Sequence, residues 1–231
     1  MFSNIKVISF DADDTLWVNE PYYRETEAAF CELLTKFHPE KFVNTELLKT
    51  ELKNLELYGY GAKGFILSLI ETALKISDHK ISQESIGEII SLGKQLQNKP
   101  LILLDGVEEI LDYLKTKNYK LIVATKGDLL DQERKLRKSN LEKYFHHIEV
   151  MSDKKPENYR SLLNHLDINP EEFIMIGNSL RSDILPILEI GSQAIHIPFH
   201  TTWIHEMIAD DNSQLNNIVK CKSLIELKKM F

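Results

Sequence analysis

Two textures alternate along the chain, distinguished by the spacing of their apolar positions. Residues 5–16 read as a short buried strand and the loop that follows it, because Val7, Ile8 and Phe10 crowd into a run too short for a helix. From Val18 to Lys99 only helical periodicity appears, predicting helices from Tyr23 to Phe37, Glu46 to Tyr58, Gly64 to Ile76 and Ser82 to Gln97. The second carries Leu47, Leu48, Leu52 and Leu55 at three-to-four spacing. Gly59-Tyr60-Gly61 and Ser77-Asp78-His79-Lys80 punctuate the block.

After Pro100 strands and helices take turns. The pattern predicts strands Lys120–Ala124, Ile148–Met151, Phe173–Ile176 and Gln193–Ile197, separated by helices Asp128–Lys138, Glu157–Leu166 and Leu180–Glu189. Asp105 is placed to N-cap a further helix, with Glu108 at its third position completing a capping box. Asn169-Pro170-Glu171-Glu172 suits a short helical turn with proline first. Repeated strand–helix units imply parallel strands joined by right-handed crossovers. The expected fold class is therefore α/β: a doubly wound, Rossmann-like parallel sheet interrupted after its first strand by an all-helical block. We expect residues 1–17 and 100–231 to form the α/β core and residues 18–99 to form a helical cap placed as a lid.

Chemistry concentrates where the strands end. Asp11, Asp13 and Asp14 put three carboxylates into four residues directly after the first strand, within Asp11-x-Asp13-x-Thr15. Crowded carboxylates are costly unless a cation or a shared proton compensates them. In open parallel sheets that edge is also where ligands bind. The second strand leads into Thr125-Lys126-Gly127, a hydroxyl and backbone amides near a helix start, which suits an anion. Lys155-Pro156 follows the third, and Gly177-Asn178 with Asp183 follows the fourth. Hard oxygen donors of this kind suit Mg²⁺, which keeps several waters and binds through carboxylates and a substrate phosphate.

These four strand-end motifs, in this order, resemble those of the haloacid dehalogenase superfamily in its phosphatase form, and the helical block falls where that family inserts a cap. The resemblance covers residues 1–17 and about 100–200. It implies Asp11 as the nucleophile that becomes a transient aspartyl-phosphate, and Asp13 as the general acid and later base, its backbone carbonyl also holding Mg²⁺. It implies Thr125 and the Lys126 amide as the grip on the phosphoryl oxygens, and Lys155 as the cation offsetting Asp11 and phosphate. Asn178 and Asp183 complete the implied metal site. Many relatives have Gly-Asp where this chain has Gly177-Asn178, which removes one negative charge from that site. Asp13 argues against dehalogenation, whose halide leaving group needs no proton.

Bulk properties narrow the partners. With 231 residues, 43% of them hydrophobic, the chain can bury a sizeable core. A formal net charge of −7 argues against nucleic acid, and the cluster Arg134-Lys135-Leu136-Arg137-Lys138 reads as a solvated helix face beside Asp131 and Glu133. Cys31 and Cys221 are too few for a disulfide framework. His196, His200 and His205 are too irregularly spaced for a transition-metal site. No secretory leader and no apolar run of membrane-spanning length is visible, so a cytoplasmic enzyme without membrane contact is expected. The expected substrate is a small soluble phosphorylated metabolite, read within the cap by Arg24, Tyr60 and Lys63. Two alternatives stay open: a phosphomutase or other phosphoryl-transfer enzyme of the same family, and a phospho-accepting signalling module.

Overall fold

Six strands lie side by side in the order β3-β2-β1-β4-β5-β6, every neighbouring pair parallel. They are β1 (Val7–Phe10), β2 (Lys120–Lys126), β3 (Ile148–Met151), β4 (Phe173–Gly177), β5 (Gln193–His196) and β6 (Val219–Lys220). This computed structural model describes residue 2 and residues 4–208 and 218–231. The eight α-helices among them are α1 (Glu20–Leu34), α2 (Glu40–Tyr58), α3 (Ala62–Ile76), α4 (Gln83–Gln97), α5 (Val107–Lys115), α6 (Leu129–Lys138), α7 (Pro156–Leu166) and α8 (Leu185–Glu189). The chain divides into two compact units. One comprises Met1–Glu20, Leu101–Lys126 and Gln132–Phe231; the other comprises Pro21–Pro100 and Gly127–Asp131. The assignment of Gly127–Asp131 to the helical unit does not follow from the sequence pattern.

In the sheet unit, side chains alternate between two cores as strand geometry requires. Ile8, Phe10, Val123, Ile174 and Ile176 pack with Val107, Ile110, Leu111 and Leu114 of α5. Val7, Ile122, Ala124 and Met175 pack instead with Tyr159, Leu162 and Leu163 of α7 and with Ile187 of α8. Phe10, Phe173 and Tyr159 are fully buried, and each aromatic or aliphatic side chain taken from water contributes roughly 1.5–3 kcal/mol. Both faces are covered, so the strands read as continuous apolar runs. In the helical unit Phe30 and Leu34 of α1, Leu47 of α2, Phe65 and Leu69 of α3 and Ile89 of α4 form a separate core.

Several elements depart from the sequence expectation. Helix α1 begins at Glu20, three residues early, because the Asp14 carboxylate accepts the N–H groups of Asn19 and Glu20. Helix α2 begins at Glu40 because Pro39 sits just before it with its φ fixed near −64°. The capping box at Asp105 does not form; Gly106, at φ +81°, takes the N-cap position of α5 without any side-chain cap. The helix expected over 180–189 is a widened π-type turn, Leu180–Ile184, followed by the short α8. Strand β6 was not expected at all.

Candidate active site

The register of three central strands sets the chemistry in place. Phe10 pairs with Val123 on one side and Ile176 on the other, so Asp11, Thr125 and Asn178 leave adjacent strands at the same sheet edge. The strand order reverses here, with β2 on one side of β1 and β4 on the other, which is where open α/β sheets bind ligands. The Asp11 amide donates to the Ile176 carbonyl at 2.8 Å, continuing the β1–β4 ladder one residue past the strand.

Asp11 is 7% exposed. Burial pushes its carboxyl up to about 7; the Lys154 ammonium pulls it down and the Asp183 carboxylate pushes it up again. Lys154 Nζ bridges the two acids, 2.5 Å from Asp11 Oδ1 and 2.6 Å from Asp183 Oδ1. Although burial opposes its charge, the two carboxylates hold Lys154 protonated well above the usual lysine range. Thr15 Oγ1 lies 3.2 Å from both Asp11 Oδ2 and Asn178 Oδ1, joining the ends of β1 and β4 with its single proton.

The lysine expected from sequence is therefore corrected by one residue. Lys155 is the N-cap residue of α7; its backbone N–H donates to Asn158 and its exposed side chain pairs with Asp153 at 3.1 Å. Its extended backbone (φ −98°, ψ 165°) belongs to a chain leaving β3, where successive side chains point to opposite sides. Lys154, the preceding residue, points inward and is 3% exposed.

Asp183 is carried by the π-type turn after β4. Its Oδ2 accepts the Ser179 N–H at 2.9 Å, and its own N–H donates to the Ser179 carbonyl at 2.9 Å. Gly177 is required beneath it: a Cβ there would lie 2.3 Å from Asp183 Oδ2 and 2.6 Å from its Cβ. His196 Nε2 bonds the Asn178 carbonyl at 2.9 Å, fixing the peptide that presents the Asn178 amide. That contact gives this histidine a packed role, with burial holding its pKa low.

Asp13 is turned to a different set of partners. Trp17 Nε1 and Lys135 Nζ donate to its Oδ1 at 2.7 and 2.9 Å, and Gln132 Nε2 donates to its Oδ2 at 2.8 Å. Three protein donors thus hold the Asp13 carboxylate, two on Oδ1 and one on Oδ2. Asp14, in the left-handed region at φ +61°, caps α1; burial pushes its carboxyl up to about 8 against the pull of the two helix N–H groups.

Thr125 is buried at the end of β2, its Oγ1 3.2 Å from the Lys126 carbonyl. The Lys126 side chain reaches Glu206 at 2.6 Å and Ser182 Oγ at 2.9 Å. Glu206 also accepts from Ser179 Oγ at 2.5 Å and Ser182 Oγ at 2.6 Å. Burial alone would raise the Glu206 carboxyl, but Lys126 and the two serines override it and bring it to about 2. Sequence reasoning missed Glu206 and Gln132, which lie outside the four motifs, and Lys135, expected on a solvated helix face, instead pairs with Asp13. Of the cap candidates, Arg24 pairs with Glu27 at 2.6 Å, Lys63 binds both oxygens of Asp128 at 3.0 Å, and Tyr60 is half-buried.

The donor set suits a hard divalent cation. Two buried carboxylates share a single ammonium, leaving a net negative charge, and each has lone pairs beyond those bonded to Lys154, Thr15 and Ser179. Asp11, Asp183, the Asn178 amide oxygen and the Asp13 carbonyl are all oxygen donors. Among the described residues no three His, Cys, Asp or Glu side chains converge in a metal-holding group. No helix among the described residues is long and apolar enough to cross a membrane.

A family model for haloacid dehalogenase-like hydrolases matches residues 5–191. A crystal structure of a haloacid dehalogenase-like family hydrolase from Xanthomonas campestris superposes with a TM-score of 0.86 at 35% identity, over 98% of this chain and 90% of that one. A phosphorylated carbohydrates phosphatase of Thermotoga maritima is 26% identical over 204 residues, 85% of this chain and 87% of its own. The N-acylneuraminate-9-phosphatase of Mus musculus is 24% identical over 219 residues, 88% and 84% of the two chains.

Proposed function

Because the chain belongs to the haloacid dehalogenase-like hydrolases, we propose that it is a Mg²⁺-dependent phosphatase of a small phosphorylated metabolite, working through an aspartyl-phosphate. The observation that carries this reading is the Lys154 bridge between Asp11 and Asp183, 2.5 and 2.6 Å. It sets a buried carboxylate against a buried ammonium at one edge of the sheet, which supports Asp11 as a nucleophile with its charge compensation beside it. The two named relatives support a phosphorylated carbohydrate or a compound of that class as substrate.

In this reading Asp11 Oδ attacks phosphorus, and the bond from phosphorus to the leaving oxygen breaks, its electron pair passing to that oxygen. Asp13 gives the leaving oxygen a proton. Asp13 then takes a proton from the water that attacks the phosphoryl group, and the acyl phosphate bond breaks to restore Asp11. Thr125 and the Lys126 amide bind phosphoryl oxygens, and Lys154 counters the charge that accumulates as two anions approach. Asp11, Asp183, Asn178 and the Asp13 carbonyl would hold Mg²⁺, which supplies Lewis-acid charge neutralisation when bound. We assign residues 18–99 the role of a cap that reads the leaving group, with Arg24, Tyr60 and Lys63 as the candidates for contact.

Phosphate release from p-nitrophenyl phosphate and from a panel of sugar and polyol phosphates, with and without Mg²⁺, tests the proposal. Asp11→Asn is expected to lower turnover at least 10³-fold, a size typical of losing a covalent nucleophile. Activity that survives in Asp11→Asn overturns the assignment. An isomerised phosphosugar without phosphate release identifies a mutase, and an aspartyl-phosphate stable for minutes identifies a signalling module.

A further inference from the structure

We propose that Gln132 and Lys135 are positioning residues that clamp Asp13 in one orientation for proton transfer, with Asp13 Oδ2 as the oxygen that carries the proton. The inference rests on the reading of Asp13 as the acid and base of the reaction. The two residues are three apart on α6 and so share a helix face. They approach different oxygens of the same carboxylate: Lys135 Nζ lies 2.9 Å from Oδ1 and Gln132 Nε2 lies 2.8 Å from Oδ2.

The two oxygens are thereby made unequal. Oδ1 accepts from both Lys135 and the Trp17 indole at 2.7 Å, which occupies both of its in-plane lone pairs. Oδ2 accepts only from Gln132 among these donors, which leaves it one lone pair on which a proton can sit. Rotation of the carboxyl about its own axis would have to break three hydrogen bonds, so the proton is held at a fixed atom.

Two further contacts fix the clamp itself. Gln132 Nε2 also donates to the Lys126 carbonyl at 3.0 Å, so the amide cannot flip without setting two carbonyl oxygens against each other. Lys135 Nζ also donates to Asn19 Oδ1 at 2.9 Å. Gln132 is 2% exposed and its Oε1 has no partner among the described residues, a cost that an apolar residue packing the same space would avoid. A buried amide kept at that cost is explained by its N–H groups, which tie the phosphoryl-binding loop at Lys126 to the acid at Asp13.

The experiment separates proton transfer from structure through the leaving group. A nitrophenolate departs without a proton, whereas an alkoxide requires one, and kcat/KM reports only the first transfer to Asp11. Lys135→Met is expected to lower kcat/KM about 30- to 100-fold on glycerol phosphate, within the range general acid catalysis spans, and less than about threefold on p-nitrophenyl phosphate. The loss should fall on kcat rather than KM, and Lys135→Arg should recover most of it. Gln132→Met, which keeps the volume and removes the donor, should give the same split from the other oxygen. Asp13→Asn is the benchmark. If it shows no leaving-group split, the acid assignment itself fails and the clamp with it. If Asp13→Asn splits the substrates but Lys135→Met and Gln132→Met lower both equally, or neither, the clamp alone is overturned.

Discussion

Lys154 and Lys155 are identical in chemistry, and a single peptide unit decides which of them meets the acids. Lys154 is sealed between Asp11 and Asp183; Lys155 extends into solvent beside Asp153. Lys154→Met is expected to lower kcat/KM by about 10²–10³, because in the proposed mechanism the charge that builds up in the transition state loses the buried ammonium beside Asp11. Lys155→Met should stay within about twofold, since an exposed ion pair contributes only ~0–1 kcal/mol. Steady-state kinetics on one aryl phosphate compares them directly. The pair also marks the limit of what is legible from residues alone. A lysine at this strand end is evident from Lys154-Lys155-Pro156, but which one turns inward depends on where β3 stops. Asp11, Thr125 and Asn178 are simpler to place, because each adjoins an unbroken apolar run, whereas the position of Asp183 depends on the π-type turn. Gln132 and Lys135 were illegible for the opposite reason. They occur in a basic, polar helix whose sequence gives no sign that one face meets a carboxylate.

At the scale of elements, strands β1 to β5 were legible, whereas β6 and the helix ends were not. Apolar runs determine strands because both faces of the sheet are covered, whereas the start of α1 depends on Asp14, six residues upstream of Glu20, and that of α5 on the left-handed backbone of Gly106. The π-type turn after β4 is the element that matters for chemistry. It exists because Asp183 folds back over Gly177 to bond the Ser179 N–H, and a continuous α-helix would carry the carboxylate elsewhere. Such widened turns recur at functional sites. Gly177→Ala places a methyl group where Asp183 lies, against the root of that side chain and not only its tip. The expected result is a destabilisation of about 1–3 kcal/mol from overpacking, read by urea unfolding. A rise in the Mg²⁺ concentration needed for half-maximal activity should accompany it. Destabilisation without any change in Mg²⁺ requirement would separate Asp183 from the cation.

At the scale of the whole sheet unit, Glu206 joins segments that the chain places far apart. Its carboxylate collects Lys126 from the end of β2 with Ser179 and Ser182 from the turn after β4, and the adjacent His205 carbonyl accepts from Arg181 at 2.7 Å. The Ile204–Glu206 segment thus braces the ends of β2 and β4. Its strength has a definite pH signature. Glu206 is depressed to about 2 from an ordinary 4.5, so the folded protein holds this carboxylate ionised while the unfolded chain takes up a proton more readily. The stabilisation is fully present above the unfolded value and is lost as pH falls from about 4.5 through 2. By linkage it is about 3 kcal/mol at neutral pH. Glu206→Gln removes the charge and keeps the shape. Its stability deficit against the natural protein should be largest above pH 5 and shrink by about half by pH 3, measured by denaturant unfolding at each pH. A deficit independent of pH would mean that Glu206 acts through packing and not through its ion pair with Lys126. Because Lys126 also lends its amide to the proposed phosphate grip, the same variant should weaken inhibition by inorganic phosphate severalfold at pH 7. That coupling is the reason a residue so far along the chain from Asp11 belongs to the account of the site.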